Sequence, residues 1–177
     1  MIMTTHHGHL LLPVKPRFIV WSLLLALMAE AALLLGTGRS GVWLPDVLLL
    51  VILYWALYQP QRVGLGWAFA LGLCADMLNY GLLGQHALTY VVVISLVQWF
   101  HRRLKQFSAL EQVPQVLLAL AIGQLLFIAV GVLAGLTWPG WASVFKPFLE
   151  ALLWAPLAWL LQAPQRRPLD PDVHRPL

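Results

Sequence analysis

From Arg17 onward the chain alternates long apolar runs with short breaks of Gly, Pro or charge. The runs fall at 17–36, 42–58, 64–80, 83–100, 111–136 and 141–161. Each holds about 17–25 residues, enough to cross a hydrocarbon core of about 30 Å at about 1.5 Å per residue. The pattern predicts an all-α, polytopic membrane protein: a bundle of six transmembrane helices over 17–163, preceded by a polar leader at 1–16 and followed by a short tail at 164–177. The second run, at about 17 residues, sits at the lower limit for a crossing. The breaks between runs, at Gly36, Gln59, Asn79 and Thr137 onward, are too short to be domains.

Composition supports the bilayer. Hydrophobic residues make up 60% of the chain, charged ones 10%, and the mean hydropathy is +0.78, against roughly 25% charged residues in an average soluble domain. The first run contains Glu30 and lacks a convincing cleavage site, so it is read as a retained helix and not as a signal peptide. The single cysteine, Cys74, lies within an apolar run and reads as a packing residue.

Charge then orients the bundle. With the N-terminus inside, Lys15, Arg17, Arg62, Arg102, Arg103, Lys105, Arg166, Arg167 and Arg175 lie on the cytoplasmic side, and only Arg39 and Lys146 outside. Lys and Arg near span ends stay cytoplasmic, so this bias and an even span count agree that both termini are cytoplasmic. The net charge of +4 is thus a topology signal and not a nucleic-acid footprint. Tryptophans at span ends, Trp21, Trp67 and Trp99 inside and Trp43, Trp138 and Trp141 outside, form the expected interfacial belts.

Four acidic residues, Glu30, Asp46, Asp76 and Glu150, fall in the outer half of four different spans. Ionisable groups in membrane segments are costly and mark function by default. One reading is an outward-facing polar cavity or docking surface with Arg39 and Lys146 as counter-charges. The other is structural: Asp46 caps its helix after Pro45, which is the leading reading for that residue, and the others sit near the interface. For Glu30, Asp76 and Glu150 both readings stand. Small residues (Gly131 and Gly135 in a GxxxG; Gly66, Ala70 and Gly72) suit close helix packing, within the bundle first and with a partner's helix second. His6, His7 and His9 make a weak metal site without a carboxylate or cysteine nearby, so no metal is assigned. Arg102, Arg103 and Lys105 form a basic stretch explained by retention, with contact to anionic lipid or a cytoplasmic partner as the alternative.

No nucleophile with its base, metal-ligand set or phosphate-binding loop is present in the sequence, so no cofactor is assigned and a membrane enzyme of lipid metabolism is disfavoured. The positive signals point to a component that acts by binding.

Between Trp43 and Leu88 the chain reads Trp43, Pro45, Asp46, then Tyr54-Trp55, then Pro60, Arg62, Val63 and Gly64, then Asp76 and a turn from Gly81 to Gly84. This stretch resembles the MreD family of rod shape-determining proteins, with Asn79-Tyr80, the His-rich leader and the Pro- and Arg-rich tail as departures. The resemblance assigns Pro45, Tyr54, Trp55, Pro60, Arg62, Gly64, Gly81 and Gly84 to family structural motifs. It implies a non-enzymatic, multi-pass subunit of the cell-elongation complex in a bacterial inner membrane. MreC is the direct partner it implies, with MreB, RodZ, RodA and the elongation transpeptidase in the wider assembly. It also implies a fold similar to the S components of energy-coupling-factor transporters. A substrate-binding S component is therefore the rival reading, and the alanines from Ala26 to Ala32 are only a partial match to the coupling motif it requires.

Overall fold

A computed structural model describes residues 15–37, 44–79 and 81–163. The leader histidines, Arg39, Trp43, Tyr80 and the tail with Arg166, Arg167 and Arg175 lie outside the described residues. Six helices follow in order: α1 Pro16–Thr37, α2 Val47–Tyr58, α3 Leu65–Asn79, α4 Gln85–Leu104, α5 Val113–Leu133 and α6 Trp141–Gln162. The described residues are otherwise turns and irregular segments. Three helices, α1, α5 and α6, are long and apolar enough to cross a membrane.

The second span departs from expectation. Helix α2 begins at Val47, not near residue 42, and has 12 residues, about 18 Å at about 1.5 Å per residue and well short of about 30 Å. The cause is local. Pro45 supplies no N–H, and the Asp46 carboxylate accepts from the Leu49 backbone N–H at 2.8 Å, which fixes the helix start. Helix α3 is also short, with 15 residues. Helix α4 begins at Gln85 and runs one turn past Phe100 to Leu104, whereas α5 is shorter than its apolar run at both ends.

A short helix persists here because protein surrounds it. Every residue of α2 from Leu48 to Leu57 is buried, and α2 packs against α1, α3, α4 and α6. Its apolar character all round is that of a core helix. Tyr54 meets Tyr58 with the rings tilted 41° and lies edge-on to Trp55. Trp55 Nε1 donates to Ser22 Oγ at 2.7 Å, while its ring meets Phe18 edge-on, tying α1 to α2. Trp154 of α6 is fully buried beside Tyr54. Other tryptophans, Trp21, Trp67, Trp99, Trp138 and Trp141, are exposed near helix ends, as amphipathic rings at a bilayer interface are.

Helices α3 and α4 approach closely. A Cβ built on Gly72 would lie 2.4 Å from the Ala87 Cα, so only glycine permits this approach. The GxxxG works differently: Gly131 faces the Gln85 side chain within the bundle, and Gly135 lies beyond the end of α5 with φ +85°. Its two glycines do not form one helix-docking stripe.

Candidate functional site: two ends of opposite charge

Chain direction alternates along the bundle, and side-chain contacts show which helix ends share a side. At one end meet the N-terminus of α2 and parts of α1, α3, α4 and α6, and all four acidic residues named from sequence lie there.

Three of them converge on α2. Asp46 Oδ1 caps the helix, and its Oδ2 accepts from the Tyr90 hydroxyl of α4 at 2.6 Å. Glu150 of α6 accepts the Asp46 backbone N–H at 2.9 Å, and Lys146 Nζ lies 3.6 Å from the same carboxylate. Glu30 of α1 lies beside the Val47 and Leu48 backbone amides. Glu30, Asp46 and Glu150 are all buried. The chemistry follows from the short helix. Its first N–H groups have no intrahelical acceptor, they lie away from water, and the positive end of the helix dipole favours anions. Carboxylates from three helices answer that demand. Among the side-chain nitrogen and oxygen atoms of the described residues, Glu30 Oε2 alone is left buried without a hydrogen-bond partner.

Asp76 performs the same task for α4. From α3 it accepts the backbone N–H groups of Gly84 and His86, each at 2.8 Å, and of Ala87 at 3.4 Å. Its Oδ1 also lies 2.8 Å from His86 Nδ1. Gly84 has φ +99°, a left-handed conformation that glycine adopts without penalty, and it turns these amides onto the carboxylate. The Asp76 and Gly81 to Gly84 motif is thus one structural unit: an acid from one helix caps the next across a glycine turn. The space between the Asp46–Glu150 group and His86 is a cavity of about 20 Å³, room for about one water and far below the roughly 300 Å³ or more of a metabolite pocket.

The opposite end is basic. Lys105 Nζ donates to the Tyr58 carbonyl, and Gln98 Nε2 to the Val63 carbonyl, both at 3.4 Å, so the α2–α3 and α4–α5 connections adjoin. Gln162 Nε2 donates to the Tyr58 hydroxyl at 3.3 Å, bringing in the end of α6. Pro60 follows the last turn of α2, Arg62 is exposed, and the Gly64 carbonyl accepts the first amides of α3 from Trp67 and Ala68. Partial burial lowers the pKa of the Lys105 ammonium from the usual lysine value.

Gln112, which sequence reasoning passed over, organises this end. Its side chain is fully buried. Nε2 donates to the Leu104 and Phe107 carbonyls, each at 3.0 Å, and to the Tyr58 hydroxyl at 3.2 Å, while Oε1 accepts from Trp154 Nε1 at 3.2 Å. Tyr90 of α4, whose hydroxyl donates to Asp46, was missed too. Among the described residues no group of three His, Cys, Asp or Glu side chains could hold a metal.

A family model, rod shape-determining protein MreD, matches residues 14–163. The chain belongs to the MreD family. A curated relative, the rod shape-determining protein MreD of Haemophilus influenzae, is 33% identical over 123 residues, covering 70% of this chain and 75% of that protein. No solved structure matches the chain. As a member of the MreD family with three membrane-capable helices, this is a membrane protein of the rod-shape system. The comparisons give the transporter S-component reading no support.

Proposed function

We propose that the chain is a non-enzymatic, multi-pass subunit of the bacterial inner membrane, with both termini cytoplasmic, that scaffolds MreC and through it the peptidoglycan-synthesis machinery of the elongation complex. MreB, RodZ, RodA and the elongation transpeptidase belong to the wider assembly in this reading. The observation that carries it is the use of the buried carboxylates: Asp46, Asp76 and Glu150 are each engaged with backbone amides at helix N-termini, an arrangement that stiffens a bundle. The cavity beside them, about 20 Å³, has no space for a transported metabolite. Any likeness to transporter S components is then one of scaffold only.

Helices α2, α3 and α4 cross with the rest because α2 is enclosed and the acid-capped ends shorten the distance that apolar helix must cover. Helix α1 packs only on α2 and α3 among the described helices and leaves Trp21, Leu25 and Met28 exposed. That face is the one offered to a partner's single transmembrane helix.

Isolation of the tagged protein from native membranes in mild detergent, followed by mass spectrometry, tests the reading. A copurifying single-span protein with a large periplasmic domain, together with elongation proteins, is the expected result. Recovery of paired ATP-hydrolysing transport subunits in their place overturns it.

A further inference from the structure

The basic end holds a second hollow, unrelated to the capped helix N-termini. Between the last turns of α4 and the first turns of α5 lies an apolar groove of about 380 Å³. Val97 and Phe100 form one wall, Leu118 and Ile122 the other, and the polar side chains lining it are Arg103 and Gln115. Arg103 is exposed and makes no ion pair among the described residues. Trp99, 80% exposed, stacks on Phe100 with the rings 14° from parallel.

We propose that this groove binds an anionic phospholipid, one acyl chain lying between α4 and α5 and the phosphate meeting Arg103. Size favours lipid over a protein helix: 380 Å³ is at the lower end of small-molecule pockets, roughly 300–1,000 Å³, whereas a helix about 10 Å across needs a longitudinal face. Charge favours an anionic headgroup, since the lining has one cation and no acid, and guanidinium pairs with phosphate through charge-assisted, often bidentate hydrogen bonds. Depth agrees as well. Arg103 lies one residue before the end of α4, and Trp99 beside it is an exposed aromatic of the kind found at headgroup level. Basic pockets between helices at the cytoplasmic surface hold anionic headgroups in this way.

The full chain, purified in mild detergent and loaded with phosphatidylglycerol or phosphatidylcholine, provides the test by native mass spectrometry. Wild-type protein retains phosphatidylglycerol about five- to tenfold better than phosphatidylcholine. Arg103→Gln removes that preference, Arg103→Lys keeps part of it, and Arg62→Gln, at the same end but outside the groove, leaves it intact. Ile122→Trp fills the groove and reduces retention of both lipids. Monodisperse elution and an unchanged unfolding temperature identify folded variants. An undiminished preference in Arg103→Gln, or equal losses in Arg103→Gln and Arg62→Gln, overturns the proposal. So does crosslinking of Leu118→Cys to a membrane protein in native membranes, which assigns the groove to a partner's helix.

Discussion

The two ends of the bundle manage polar groups in opposite ways. At the acidic end, carboxylates are buried and matched to backbone amides: Asp46 to Leu49, Glu150 to Asp46, Asp76 to Gly84 and His86. At the basic end, Arg62 and Arg103 are exposed, and the buried polar work falls to a neutral side chain, Gln112. The difference arises from helix direction and length. Helices α2 and α4 begin at the acidic end, so it presents orphan N–H groups and the positive ends of dipoles, which carboxylates satisfy. Where α2 and α4 finish, carbonyls are left over, and Gln112 and Lys105 donate to them. Asp46 and Glu150 thus serve the start of the short central helix and Asp76 the start of α4.

The sharpest way to break the comparison is at Asp46. Asp46→Ala removes the cap on Leu49 and strands the Tyr90 hydroxyl, both buried, for a loss of about 3 kcal/mol or more. Asp46→Asn preserves the cap and loses about 1 kcal/mol. Unfolding in detergent followed by circular dichroism reads both. Equal effects of the two would mean that charge, and not capping, holds α2 in place. Asp76→Ala comes next, at about 2–3 kcal/mol, because its amides lie partly at the surface of the turn. Its signature is local: faster amide hydrogen exchange at Gly84 and His86 with α5 and α6 unchanged.

Asp46 also shows how far the sequence is legible. Its position after Pro45 makes a cap readable, and the periodic apolar runs make six helices readable. What sequence could not supply is the partner of a long-range cap. Asp76 answers amides eight to eleven positions away, and Glu150 answers one across 104 positions. Both depend on which helices become neighbours. The same limit explains the second span: the cap at Asp46 is readable, but that a 12-residue helix can stand there depends on the neighbours that enclose it. The residues of the family motifs sit in different settings. Gly84 has a positive φ that glycine serves, Trp55 and Tyr54 are core residues, and Gly81 would accept a Cβ without a contact within 4 Å.

The basic end has its own test of comparable logic. Gln112→Leu keeps roughly the shape but leaves Trp154 Nε1 and the Leu104 and Phe107 carbonyls without this partner. The expected loss is about 1–3 kcal/mol, read by unfolding in detergent. Gln112→Glu retains an acceptor for Trp154 but sets a buried carboxylate against the two carbonyl oxygens, and costs at least as much as Leu. A loss equal to that of Asp46→Ala would mean that the two ends are equally committed to holding α2 and differ only in sign.

Arg62→Gln has the smallest expected effect and sharpens the contrast most cheaply. The α2–α3 turn is closed by its backbone, with the Arg62 and Val63 N–H groups both donating to the Gln59 carbonyl at 2.9 and 3.0 Å. Pro60 and Gly64 set the chain path around it, and the Arg62 side chain is exposed. Substitution therefore leaves the turn intact, and the unfolding free energy changes by less than about 0.5 kcal/mol. On the proposed topology the side chain's charge belongs to the set that orients the chain during insertion, a role absent from the stability of the folded bundle. If Arg62→Gln lowered stability as much as Asp46→Asn, the basic end would be held by its charges as the acidic end is, and the asymmetry between exposed bases and buried, amide-matched acids would fail.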